Sequence, residues 1–203
     1  MSFHTALRWF LVPTTTLLTI DFLGKSFARV QWVSGCSMAP TISPDFLETG
    51  ERDLVLVFRH SLAGSAIANL RRGDIVTMIK PHEPQSELVK RVVALPGDLV
   101  MRDVRRVGKQ EVEGGKHSEE LGLRPLPPIV RVPTGAVWME GDEWRKSRDS
   151  NDFGPISQSL ITGRVWGVLW PPHRFGPFPA SAPDSRTQVV EGLPPSISTL
   201  DFV

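Results

Sequence analysis

Two stretches of this 203-residue chain hold side chains that can do chemistry together. The first is Gly35-Cys36-Ser37-Met38-Ala39-Pro40-Thr41, a turn of small residues with one serine at its centre. The second is Lys90-Arg91-Val92-Val93-Ala94-Leu95-Pro96-Gly97-Asp98, a lysine entering a valine-rich run closed by a turn. A serine hydroxyl is a poor nucleophile until a neighbouring base takes its proton. Histidine is the usual base, but His4, His60, His82, His117 and His173 are scattered, with no helical pair and no metal-ligand spacing. The remaining base is a neutral lysine. An ordinary lysine has a pKa near 10.4, so only about one in 2,500 is neutral at pH 7. Burial removes that obstacle, because desolvation disfavours the ammonium. Successive strand residues point to opposite faces, so Lys90 shares a face with Leu88, Val92 and Ala94, and Arg91 lies opposite with Val89, Val93 and Leu95. Taken singly, a lysine in a valine-rich strand is more often an edge residue with its amine in solvent, and a lone serine is usually structural. In combination, Ser37 is read as the nucleophile and Lys90 as its base. Cys36, the single cysteine, excludes an internal disulfide or a multi-thiolate zinc site and reads as a small packed residue. No metal and no cofactor is expected.

The elements that must position this pair are short. Seventeen glycines and 18 prolines favour many turns over long helices. Residues 53–58, 75–79, 88–95, 136–140 and 164–170 read as strands, and 99–104 as a strand returning antiparallel to 88–95. The fold class is mainly β. Apolar residues at 40% and charged residues at 22% fit one folded core, and a net charge of +1 argues against a nucleic-acid partner. Residues 105–127 are charged and glycine-bearing and read as an exposed insertion within a β-rich domain spanning 30–170. Residues 171–203, rich in proline and serine, are expected to form a largely disordered tail. Asp45, Glu48, Glu51 and Asp53 read as a solvated face, and Trp138, Trp166 and Trp170, at strand spacing, as core.

The N-terminal segment, residues 1–29, holds an uncharged apolar run from Trp9 to Ile20. A membrane-spanning helix needs roughly 20 mostly apolar residues. Residues 7–27 reach that length by including charges near the ends, so they are expected to form a single marginal membrane anchor, with Trp9 and Trp32 bracketing it. Basic residues flank both ends, so charge asymmetry gives no orientation.

Four stretches in one order carry a resemblance: Ser37-Met38-Ala39-Pro40-Thr41, Gly73-Asp74-Ile75-Val76, Lys90 to Asp98, and Gly141-Asp142 followed by Ser147-Arg148-Asp149-Ser150. Together they resemble the successive motifs of the type I signal peptidases over about residues 30–170. Within that family, residues 150–157 and the single-anchor layout are most similar to the mitochondrial inner membrane peptidase of the subunit 2 type. The resemblance implies a signal-peptidase-like antiparallel β fold behind an N-terminal membrane-anchor helix. It also implies a serine endopeptidase that removes sorting peptides from precursor proteins, held in the mitochondrial inner membrane with its catalytic domain in the intermembrane space. A subunit 1-type peptidase is the implied partner in a hetero-oligomer. By the same resemblance, Ser37 and Lys90 form the catalytic dyad, Ser147 orients the Lys90 amine, and Asp142 and Asp149 support the site. Met38 and Pro40 line the pocket for the residue before the cut, and the Ser37 backbone N–H donates to the oxyanion.

The chain departs from the bacterial pattern at three places. Gly35 stands where many bacterial members have a serine that completes the oxyanion hole. Glu143 replaces an asparagine, and Asn151 replaces an arginine that pairs with the preceding aspartate, so Asp149 must find another partner. The alternatives are a signal peptidase of a bacterial, plastid or secretory membrane, and a non-catalytic subunit that stabilises a protease.

Overall fold

The computed structural model describes residues 9, 11–16, 19, 28–59, 69–81, 83–103, 105, 126–180 and 185–192. In chain order the elements are β1 (Ala28–Val33), helix α1 (Phe46–Thr49), β2 (Asp53–Arg59), β3 (Ile75–Lys80), β4 (Glu83–Ala94), β5 (Leu99–Met101), β6 (Ile129–Arg131) and β7 (Ala136–Glu140). They continue with helix α2 (Ser150–Phe153), β8 (Ile156–Ser157), β9 (Ile161–Trp170), β10 (Gly176–Pro177) and β11 (Gln188–Val190). Every pairing is antiparallel. The main sheet runs β1-β2-β9-β3-β4-β7-β8 with β10 added to β9, and β11-β5-β6 form a smaller sheet. The mainly β reading of the sequence holds.

The valine-rich runs explain why the sheet is covered on both sides. β-branched residues fit a pleated surface and alternate between its faces. One face buries Val33, Met38, Ile42, Val55, Val57, Ile75, Val165 and Val168 in a first cluster. The opposite face buries Val76, Met78, Val92, Val137, Met139, Ile156 and Ile161 in a second. β7 alternates between this second cluster and a third, formed by Ala136 and Trp138 with Val100, Val130 and Val132 of the smaller sheet. That is why all five of its residues are buried.

Several expectations change. The chain does not return along β4 after Pro96-Gly97-Asp98; β5 pairs with β6 and β11 instead. The buried Asp98 carboxylate fixes this turn by accepting from the Leu95 and Gly192 amides and pairing with Arg72. Trp138 is core, but Trp166 and Trp170 are 41% and 54% exposed. Both stand outside the core clusters formed by the described residues, Trp166 leaning on Phe175 with ring centroids 6.1 Å apart. Asp53 is not solvated: at 2% exposed it accepts from the Ser43 amide and pairs with Arg174. The segment expected to be a disordered tail forms a 3-10 turn at Pro172–Arg174 and the strands β10 and β11. The insertion expected at 105–127 lies almost wholly outside the described residues.

The expected anchor, 7–27, also lies largely outside them. Trp9, residues 11–16 and Thr19 are helical, and among the described residues no helix is long and apolar enough to cross a membrane.

Candidate active site

The serine turn follows β1 directly. Gly35 takes φ +98°, a left-handed conformation that glycine adopts without the steric cost of a side chain. The Ala39 amide then donates to Cys36 O and the Ile42 amide to Met38 O, which closes the turn. Ser37 is half-buried at its top, and Pro40 is exposed. Met38, at 1% exposed, points the other way and locks the turn into the first core cluster.

Lys90 lies deep in β4 and is 2% exposed. It faces Val76 on β3, and its own face continues through Leu88 and Val92 into the second core cluster. On the other side of β4 the ladder to β7 pairs Arg91 with Glu140 and Val92 with Met139. Carried one residue further, this register sets Gly141 opposite Lys90. Facing residues of an antiparallel pair project to the same side.

What fills that side of Gly141 is informative. A Cβ there would lie 2.2 Å from the Ser147 hydroxyl oxygen and 2.5 Å from the Ser37 carbonyl oxygen. Only a residue without a side chain lets both approach, and the Glu143 amide adds a 3.1 Å hydrogen bond to the same Ser37 carbonyl. Gly141 is thus the junction at which Ser37, Lys90 and Ser147 converge. The glycine of the Gly141-Asp142 motif has a steric reason.

Two carboxylates flank the junction. Asp149 caps α2 and accepts at one oxygen from the Ser147 hydroxyl (2.5 Å) and the Gly141 amide (2.8 Å), and at the other from the Asn151 amide and side chain. Asn151 therefore meets Asp149 by hydrogen bonds where the bacterial pattern has an arginine. Asp142 meets the Arg91 guanidinium at both oxygens, at 2.9 and 2.7 Å, and accepts from the Thr41 hydroxyl. Arg91 donates further to the Gly73 and Pro179 carbonyls, at 3.0 and 2.7 Å.

Ser37, Lys90, Asp142, Ser147 and Asp149 are thus brought to one junction; Met38 lies beneath it and Pro40 at its rim. Three residues that sequence reasoning passed over tie it together. Arg91, 2% exposed, holds Asp142. Arg174 holds the Thr41 carbonyl at 2.9 Å while pairing with Asp53. Glu140, buried beside Gly141, accepts from Trp138 Nε1, Asn151 Nδ2 and Thr187 Oγ1. Arg91 had a signal, its place next to Lys90 in a strand expected to be buried; Arg174 and Glu140 had none.

Known proteins are similar to this chain over most of its length. The family model "Signal peptidase, peptidase S26" matches residues 6–170. A Danio rerio protein named mitochondrial inner membrane protease subunit 2 is 34% identical over 180 residues, covering 88% of this chain and 81% of its own. The Saccharomyces cerevisiae protein of the same name is 35% identical over 172 residues, covering 84% and 80%. Subunit 1 of the mitochondrial inner membrane protease from Mus musculus is 34% identical over 143 residues, covering 70% of each chain. Among solved structures, a signal peptidase I from Enterococcus faecalis V583 aligns with TM-score 0.34 and 21% identity, covering 47% of this chain and 96% of its own. The chain belongs to the signal peptidase family, peptidase S26.

Proposed function

We propose that this member of the S26 family is a membrane-anchored serine endopeptidase that removes sorting peptides from precursor proteins, with Ser37 as nucleophile and Lys90 as base. The observation that carries this reading is the packing at Gly141, where Ser37 and Ser147 crowd the side that the register sets opposite a buried lysine.

The chemistry follows from where protons sit. Burial of Lys90 disfavours its ammonium form, and a neutral amine can take the Ser37 proton as Oγ bonds to the scissile carbonyl carbon. The carbonyl electrons move onto oxygen, and the Ser37 amide donates to the oxyanion, a contribution of about 3 kcal/mol. Lys90 then gives its proton to the leaving nitrogen as the C–N bond breaks, leaving an ester on Ser37. Water, deprotonated by Lys90, attacks that ester, and Ser37 departs with its proton restored. Ser147 has one hydroxyl proton, and it is donated in a hydrogen bond to the Asp149 carboxylate. Toward Lys90 it can present only a lone pair, which holds one amine N–H and leaves the nitrogen lone pair for Ser37. Asp142, clamped by Arg91, keeps the Gly141 segment in register. Met38 and Pro40 border the recess for a small residue before the cut, which an extended substrate reaches by adding as a strand.

Residues 7–27 are the anchor in this reading. The threonines that dilute the apolar run hide their hydroxyls: Thr15 donates to Leu11 O, Thr16 to Val12 O and Thr19 to Thr15 O, each at 2.8 Å. Such back-bonding satisfies polar groups where lipid offers no partner. The names of the relatives support placement in the mitochondrial inner membrane and a subunit 1-type partner, and in this reading the peptidase domain (30–170) faces the intermembrane space.

The test is cleavage of a leader-bearing precursor by the full chain in lipid vesicles. Wild type is expected to cut and Ser37→Ala to be inert with unchanged folding. Cleavage that needs a subunit 1-type partner, and that Ser37→Ala supports as well as wild type, would make the chain a non-catalytic subunit.

A further inference from the structure

Asp149 holds the Ser147 hydroxyl and the Gly141 amide, and the contacts behind it end on a residue outside every motif. Asp149 Oδ1 accepts from Asn151 Nδ2 at 3.1 Å, and the same nitrogen donates to Glu140 Oε1 at 3.0 Å. At the other end of the amide, Asn151 Oδ1 accepts from Arg102 Nε at 3.2 Å. Arg102 Nη2 donates to the Asn151 carbonyl at 3.1 Å. Arg102, Glu140, Ser147, Asp149 and Asn151 are all buried.

The smaller sheet delivers Arg102. Val100 on β5 enters the third core cluster, and strand alternation sends Arg102, two residues on, to the same inward side. The Arg102 amide donates to the Pro128 carbonyl at 2.9 Å and Nη1 to the Leu126 carbonyl at 2.8 Å. The chain leading into β6 thus fixes one side of the guanidinium, and the Nε–Nη2 edge grips Asn151. A guanidinium only donates and keeps its charge. It therefore fixes which end of the Asn151 amide is oxygen and turns Nδ2 toward the two carboxylates.

Electrostatics gives this arrangement a purpose. Asp149 and Glu140 meet on a single nitrogen, and the Asp152 carboxylate accepts from the Asp149 amide at 3.0 Å. Like charges this close favour protonation of one of them. A protonated Asp149 would donate to Ser147 Oγ. The Ser147 proton would then turn toward Lys90 and occupy the nitrogen lone pair that Ser37 needs. Arg91 is matched by Asp142, and Lys90 is neutral when it acts as base. Arg102 brings a fixed cation to the far side of the same amide.

We propose that Arg102 is a positioning residue for the peptidase reaction. Through the Asn151 amide it keeps Asp149 ionised, and so keeps the Ser147 proton away from Lys90. Arg102 touches neither substrate nor reacting atoms, so its loss lowers kcat and leaves KM near its wild-type value.

The inference rests on the peptidase reading. Its test is cleavage of a leader-bearing precursor by the full chain in lipid vesicles across pH, with unfolding measured on the same preparations. Arg102→Gln is expected to lower kcat about 10- to 100-fold at neutral pH, with KM changed by less than about twofold. Removing the cation lets the carboxylate keep its proton to higher pH, so the acid limb of the kcat profile moves up. Adding Asn151→Arg to that variant brings a guanidinium directly to Asp149, and is expected to recover most of kcat and return the acid limb. Should Arg102→Gln fold poorly, the near-isosteric Asn151→Leu cuts the relay with Arg102 in place, and is expected to show the same loss and shift. Wild-type kcat in either folded variant overturns the positioning role and leaves the peptidase standing. So does a loss that is equal at every pH and unrelieved by Asn151→Arg. A precursor left uncut by wild type as well removes the peptidase reading and this inference with it.

Discussion

Lys90 and Arg91 are neighbours on β4, both 2% exposed, and the two faces of the strand treat them in opposite ways. On one face Arg91 is enclosed by acceptors: both oxygens of Asp142, the carbonyls of Gly73 and Pro179, and the Thr41 hydroxyl. On the other, Lys90 lies among Leu88, Val76 and Val92 and faces the Gly141 junction. A guanidinium stays charged and suits a fixed ion pair, whereas an amine gives up its proton when its surroundings stop supporting the charge. Burial alone therefore does not mark a catalytic cation. In the proposed mechanism, what separates the two is the chemistry of the face each one enters.

The contrast can be broken from the Arg91 side first. Arg91→Met strands the Asp142 carboxylate in the interior and is expected to lower stability by about 3–5 kcal/mol. Denaturant unfolding measures it, and loss of activity without loss of stability would move Arg91 into the chemistry. Gly141→Ala puts a methyl group against Ser147 Oγ and the Ser37 carbonyl, and should reduce kcat about 100-fold at a stability cost of about 1–3 kcal/mol. Kinetics near wild type would show that the junction does not position the site. Arg174→Met removes the tie to the Thr41 carbonyl and the partner of buried Asp53, for an expected loss of about 1–2 kcal/mol in the same unfolding experiment. The smallest effect is on the surface. The Lys80 hydrogen bond and charge hold the Glu83 carboxyl below its ordinary 4.5. Its contribution is present above that value and fades as pH falls through the lowered folded one. Glu83→Gln should leave neutral-pH stability nearly unchanged and slightly flatten the acid side of the profile.

How much of this was legible in the sequence depended on whether the signal was local. Ser37, Lys90 and the Gly141-Asp142 motif lie in short stretches whose residue types constrain one another, and strand alternation put Lys90 and Arg91 on opposite faces. The same alternation failed for Trp166 and Trp170 because bulges between β2 and β9 break the period of two: Val165 and Val168, three apart, both enter the first core cluster and leave the two tryptophans outside it. Asp53 looked solvated because Arg174, the residue that buries its charge, is remote in sequence. The segment after Pro171 looked disordered because composition counts side chains. Backbone groups hold much of it: the Pro179 carbonyl on Arg91, the Gly192 amide on Asp98, and the ladders of β10 and β11. Arg174 and Thr187 add two side-chain ties that no local pattern announces.

Lys90→Met tests the central claim most directly, with precursor cleavage in vesicles and unfolding measured on the same preparation. A thioether of similar length suits the apolar face, so the account predicts a variant at least as stable as wild type and unable to cut. A folded Lys90→Met that still cleaves would contradict it and leave both buried cations as parts of the scaffold.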